Sequence, residues 1–152
     1  MFVEQLTQFL AVVGQIPSSN HTNNTDTSVA GIDMSRFRRL ITFLDVGVLG
    51  TNANVQLFYY SSANSNMAGS TNLGNSSSFT TEILTGNTNN RVESLEIRAD
   101  QLPAGHRYVQ PVLIVNTAAS NVGLISLGAD SEYHPGSQFG VANVLDQGLV
   151  VG

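Results

Sequence analysis

Short apolar runs separated by polar turn residues make up most of this chain. Side chains on a β-strand point alternately to its two faces, so alternating apolar and polar residues indicate a half-buried strand. The clearest example has Leu95 and Ile97 on one face and Glu96 and Arg98 on the other. Comparable runs predict strands at residues 37–48, 53–60, 79–84, 91–99, 107–116 and 122–133.

The number and spacing of these runs predict an all-β domain. About six to eight short antiparallel strands are typical of a β-sandwich, either jelly-roll or immunoglobulin-like. A closed barrel is the alternative architecture. The run 37–48 is apolar enough to lie near the centre of a sheet, and the turn residues Gly50, Thr51 and Asn52 predict that it forms a hairpin with 53–60.

Two segments do not fit the strand pattern cleanly. Residues 3–13 carry apolar side chains at helical spacing, but a β-branched pair and Gly14 oppose a helix, so helix and strand both remain open. Pro111 lies inside the strand 107–116. Proline has no N–H to donate, which predicts an edge strand or a bulge at this position.

Polar and glycine-rich segments set the expected domain organisation. Residues 18–28 are almost entirely Ser, Thr, Asn and Asp and predict a loop, or an arm that orders on a partner. Residues 61–78 predict a long exposed loop. We expect residues 1–134 to form the sandwich domain, with 1–28 as an N-terminal segment, and residues 135–152 to form an extended C-terminal arm.

The composition indicates a protein that contacts other chains. Only 11% of the residues are charged, and all six cations are arginine. An ordinary soluble domain has about 25% charged residues, and lysine and glutamate are depleted from interface cores. The net charge of −5 opposes nucleic-acid binding, and no stretch approaches the roughly 18 apolar residues of a membrane span. The absence of cysteine fits synthesis in a reducing cytoplasm.

Candidate catalytic and metal-binding groups are few. Asp130, Glu132 and His134 would share one face of a strand and could ligate a divalent cation, although a polar strand end is the favoured interpretation. His106 follows a glycine in a turn, where a solvated histidine is common. No nucleophile elbow, phosphate-binding loop or zinc-protease motif is present, so we predict neither enzymatic activity nor a cofactor or small-molecule substrate.

Candidate partner-binding residues fall into two groups. Arg36, Arg38 and Arg39 form the one dense basic cluster, and Asp33 and Asp45 nearby favour ion pairing or a partner contact. The second group consists of apolar residues in the C-terminal segment, which are candidate anchors: Phe139, Val141, Val144, Leu145, Leu149 and Val150. Phe58, Tyr59 and Tyr60 would offer a sugar-binding platform if exposed, but the alternation favours burial of Phe58 or Tyr59.

The order of several segments resembles small virion proteins encoded in the head-gene clusters of tailed bacteriophages and prophages. The segments are 31–37, 45–55, 104–109, 116–120 and 128–135, and the likeness covers about residues 30–60 and 90–150. Such proteins usually carry an Asp-Gly-Ser pattern in the middle loop, and residues 61–78 depart from it. Loop contacts are therefore not carried over from the resemblance.

The resemblance implies a β-sandwich that decorates or cements a phage capsid. It implies the major capsid protein and further copies of this chain as partners, and a location on the virion surface after synthesis in the bacterial cytoplasm. A tail or head–tail joining component is an alternative structural role. A carbohydrate-binding module used in host attachment is an alternative from another class.

Overall fold

The structure is a computed structural model that describes residues 9–22, 25–75, 82–85 and 89–131. Two short 3-10 helices lie within this part of the chain, at Leu73–Asn75 and Ala99–Gln101. The strands described are β1 (Ala11–His21), β2 (Thr25–Ser28), β3 (Ile32–Asp33), β4 (Phe37–Val46), β5 (Asn54–Ser62), β6 (Thr71–Asn72), β7 (Glu82–Thr85), β8 (Arg91–Arg98), β9 (Tyr108–Asn116) and β10 (Ser120–Ser131).

The strands form two antiparallel sheets, which confirms the predicted all-β sandwich. The first sheet has the order β1-β10-β4-β8. The second has the order β2-β9-β5-β6, with β3 also paired to β9 and β7 also paired to β5. The pairs are nested along the chain: β1 with β10, β2 and β3 with β9, β4 with β8, and β5 with β6 and β7. This is a long hairpin rolled into a jelly roll, so neither the immunoglobulin-like order nor a closed barrel applies.

The predicted hairpin between residues 37–48 and 53–60 is wrong. β4 lies in the first sheet, where β10 and β8 occupy both of its edges, and therefore β5 has no free edge there. The connection instead crosses to the second sheet. It turns where the Ala53 N–H donates to the Gly50 carbonyl at 3.0 Å, and Gly47 is tied to Asn121 by a 2.8 Å backbone hydrogen bond.

The polar stretch 18–28 is more ordered than its composition predicts. Ser19, Asn20 and His21 continue β1 against β10, and residues 25–28 form β2 against β9. The backbone hydrogen bonds of these strands to β10 and β9 hold the polar residues in place without requiring apolar side chains. At the other end of β1, residues 11–13 form part of the strand, so for these residues the choice between helix and strand is decided in favour of strand. Residues 3–8 lie outside the described residues.

The middle polar segment also departs from a simple loop. Residues 63–66 are exposed as predicted, but β6 pairs with β5 and the Leu73 side chain is buried in the core.

The position of Pro111 differs from the prediction, because the strand that contains it is neither an edge strand nor bulged. β9 has neighbours on both sides, and its register with β5 runs unbroken past Tyr59. The proline fits because it lies opposite the break between β2 and β3.

The inner faces of the two sheets enclose the hydrophobic core. The first sheet contributes Leu40, Leu44 and Leu124, and the second contributes Leu57 and Leu113. A small polar network lies inside this core. Thr42 and Ser126 hydroxyls are 2.8 Å apart, and the Tyr59 hydroxyl lies 2.9 Å from Thr42 Oγ1 and donates to the Leu95 carbonyl at 2.8 Å. Tyr59 therefore joins the two sheets through hydrogen bonds as well as through its ring.

Replacing Tyr59 by phenylalanine tests this bridge. The change keeps the ring but leaves buried acceptors without the phenolic donor, so we expect a loss of about 1–2 kcal/mol in the free energy of unfolding. Tyr60→Phe is the matched control, because Tyr60 is only half-buried on the other face of β5. Chemical denaturation measures both variants, and equal effects would contradict the bridging role.

Candidate functional site

The structure divides the predicted basic cluster. Arg36 turns towards Asp33, with 3.6 Å between Nε and Oδ2. Arg39 lies at the start of β4 and pairs with Glu96 and Asp130, each at 3.1 Å. Arg38 is exposed beside Arg39, and Asp45 lies at the far end of the same strand. The candidate anchors Phe139, Val141, Val144, Leu145, Leu149 and Val150 lie outside the described residues.

Asp33 is the centre of the best-defined ion pair. Arg107 donates to both of its carboxylate oxygens, at 2.7 and 2.6 Å, and Ser35 donates its backbone N–H and its hydroxyl to Oδ1. The bonds from Arg107 hold the pKa of Asp33 at about 2, against a partial burial that raises it. The Arg107 guanidinium also lies 5.5 Å from the centre of the Tyr108 ring. This cluster fixes β3 and its turn against β9.

Asp33→Asn tests the cluster through its pH dependence. The folded-state pKa of Asp33 lies below its ordinary value of 3.8, so its stabilisation is present above that value and is lost as the pH falls towards 2. We expect the substitution to cost about 1–2 kcal/mol of unfolding free energy at pH 7, with a difference that shrinks below pH 4. Asp100→Asn is the control, because its pair with Arg98 is exposed. A difference independent of pH would contradict this role.

Two histidine–serine contacts are described, and the shorter one has the geometry of a structural pair, whereas Ser19 and His21 meet at 3.3 Å on the exposed end of β1. The Ser61 hydroxyl lies 2.7 Å from His106 Nδ1, and His106 is half-buried rather than fully solvated as its turn predicted. Ser61 itself is fully buried, so its oxygen is closed to a substrate in this arrangement.

The metal candidate falls mostly outside the described residues, and the aromatic residues of the sugar platform are not exposed as a group. Asp130 is paired with Arg39, while Glu132 and His134 lie outside the described part, which holds no cluster of three metal-ligating side chains. Phe58 and Tyr59 are both buried, as the alternation favoured. Within the same part of the chain, no helix has the length and hydropathy needed to cross a membrane.

The strongest candidate site is the outer face of the first sheet. Phe43 on β4 and Ile125 on β10 are register partners, and both side chains point away from the core with exposed fractions of 38% and 49%. Val92 on β8 is 61% exposed beside them. Ile41 and Leu127, also register partners, continue the patch and are half-buried. We call these five residues the outer apolar patch.

A bulge in β1 deepens this surface into a cleft. The register between β1 and β10 shifts between Ile16 and Ser19, and the displaced backbone covers Gly123. A Cβ atom on Gly123 would lie 2.6 Å from the Ser18 nitrogen, so this close approach requires glycine. The resulting cleft of about 340 Å³ is lined mainly by apolar atoms, and Asp45 is its one ionisable lining residue.

The sequence contains a signal for this face that the strand analysis did not use. Strands with one solvated face alternate strictly, whereas strands covered on both faces have nearly continuous apolar runs. Residues 40–44 contain four large apolar side chains in five positions, and residues 124–127 contain three in four. These runs mark the two central strands of the sheet as suited to burial on both sides.

Comparisons with known proteins do not assign this chain to a family. No family model matches it, and no curated protein matches it. Among solved structures the chain is similar to one described as the crystal structure of PirA, with 14% sequence identity and a TM-score of 0.42. That alignment covers 84% of this chain and 99% of the other.

Proposed function

We propose that this chain is a structural virion protein that decorates or cements the head of a tailed bacteriophage. In this role many copies bind the major capsid protein and one another on the outside of the shell. The proposal includes no enzymatic activity, cofactor, nucleic acid or membrane. Synthesis takes place in the bacterial cytoplasm and the final location is the virion surface.

The outer apolar patch is the observation that carries this proposal. The sandwich already has a complete core between its two sheets, so Phe43, Val92 and Ile125 are not needed to close that core. Leaving such side chains in water costs roughly 25 cal/mol for each Å² of apolar surface. Large contiguous apolar patches on folded domains are typical of interaction surfaces, and the outer apolar patch is the candidate for one here.

The composition and the fold support the same role. The chain is rich in Asn, Ser, Thr and Gly and contains no lysine. Uncharged polar groups are less costly to desolvate against a neighbour than charges. Jelly rolls are common in capsid proteins, although they also occur in lectins. The resemblance in segment order to head-gene-cluster proteins is what points to a phage. Multiple copies would add avidity to modest individual contacts.

Particle binding tests the role and the predicted arm together. Full-length protein should bind purified heads of the source phage, and a Leu145→Ser, Leu149→Ser, Val150→Ser variant should show at least a tenfold lower occupancy, because its apolar anchors are lost. Asn143→Ala with Gln147→Ala is the matched control and should leave occupancy unchanged. Occupancy is measured by quantitative gel analysis of sedimented particles.

The outcomes of this experiment distinguish the role of the C-terminal segment from the role of the whole chain on the particle. Binding that is equal for the anchor variant and the control removes the C-terminal segment from the interface. Absence of the chain from particles, with no binding to purified heads, would reject the decoration role. A ring of six or twelve copies at the portal or tail would replace it by the joining role, whereas hundreds of copies support decoration.

The carbohydrate-binding alternative loses its aromatic platform. Phe58 and Tyr59 are buried, and Tyr60 contacts Phe58 edge-on with 5.5 Å between the ring centres. Selective glycan binding on an array would restore this alternative.

A further inference from the structure

Asp45 is the one carboxylate without an arginine partner among those whose side chains the structure describes. It is exposed on β4, between its register partners Val92 and Gly123. Every other described carboxylate is in an ion pair: Asp33 with Arg36 and Arg107, Glu93 with Arg91, Glu96 and Asp130 with Arg39, and Asp100 with Arg98. The outer face of the first sheet therefore has one negative charge that no described side chain neutralises.

This charge borders the cleft of about 340 Å³ that adjoins the outer apolar patch. Asp45 is the one ionisable residue of the lining, and three residues of the patch, Phe43, Val92 and Ile125, line the cleft as well. A small molecule of this volume would fill the cleft but leave the rest of the patch in water. A polypeptide segment can fill the cleft and cover the neighbouring apolar side chains at once, so the shared lining favours a polypeptide as the occupant.

The charges of this chain favour a different protein as the source of that segment. There is no lysine, and five of the six arginines are in ion pairs. The sixth, Arg38, lies at the other end of β4, roughly 23 Å from Asp45 at about 3.3 Å per residue. Residues 132–152 contain neither arginine nor lysine. A second copy would have to break one of its own ion pairs to supply a cation to Asp45.

We propose that the cleft binds a segment of another polypeptide that presents an apolar side chain next to an arginine or a lysine. The apolar side chain packs against Phe43 and Ile125, and the cation forms a charge-assisted hydrogen bond with Asp45. The ion pair fixes the orientation of the segment, while the apolar contact contributes most of the affinity. The inference rests on the proposed function only in taking the major capsid protein as the source of the segment.

Amide chemical shifts of the isotope-labelled full-length chain, recorded during titration with blocked peptides, test the proposal. The peptides have the sequence Gly-Ser-X-Arg-Ser-Gly, in which X is Leu, Phe or Trp. A matched set carries citrulline, which keeps the shape of arginine without its charge. We expect shifts at Phe43, Asp45, Val92 and Gly123, and a dissociation constant about fivefold higher for the citrulline peptide. Alanine at X should raise the dissociation constant roughly tenfold.

Asp45→Asn separates the ion pair from the apolar contact. The substitution should raise the dissociation constant of the arginine peptide about fivefold and leave that of the citrulline peptide unchanged. Asp100→Asn is the matched control, because Asp100 is an exposed carboxylate that is already paired with Arg98. This control should change neither constant. The dispersion of the amide spectrum confirms that each variant is folded.

Three results would overturn the proposal. The first is an equal dissociation constant for the arginine and citrulline peptides, and the second is the absence of shifts at the cleft with every peptide up to about 5 mM. The third is binding of phenethylammonium as tight as that of the best peptide, which would indicate a small-molecule site. The titration uses no particles, so its failure leaves the decoration proposal standing, and a chain absent from particles leaves the peptide result standing.

Discussion

The placement of β10 between β1 and β4 is the constraint on which the structure depends. This pairing brings the last described strand of the chain against both the first and the fourth, and it closes the rolled hairpin. The approach is close enough to require glycine at two positions. A Cβ on Gly123 would collide with the Ser18 backbone, and a Cβ on Gly128 would lie 2.7 Å from the Phe37 ring. The strand can therefore be central only because these side chains are absent.

The same arrangement produces the candidate interaction surface. With β10 and β4 in the middle of the first sheet, one face of each strand packs on the second sheet and the other faces outwards. Leu44 and Leu124 occupy the core, while Phe43 and Ile125 form the outer apolar patch. The bulge of β1 over Gly123 adds the neighbouring cleft. Fold and surface thus follow from one pairing of strands.

Alternation and turn residues were enough to predict the fold class and most strand positions. They did not predict which strands pair, because β4 and β5 are adjacent in sequence yet pairing depends on contacts with β8, β9 and β10, which are distant in the chain. The polar composition of residues 18–28 predicted a loop or an arm, but Ser19 and Asn20 belong to β1, where backbone hydrogen bonds to β10 hold the strand. The Asp33–Arg107 pair spans 74 residues and leaves no local trace in the sequence. The outer apolar patch could have been predicted from the nearly continuous apolar runs at residues 40–44 and 124–127, because such runs place apolar side chains on both faces of a strand.

A cryo-EM map of the phage particle would show whether the outer face of the first sheet is an assembly surface. If the chain decorates the head as proposed, its density lies on the outside of the head in hundreds of copies, with Phe43, Val92 and Ile125 covered by protein. A map in which the chain occupies the particle with that face open to solvent in every copy would contradict it.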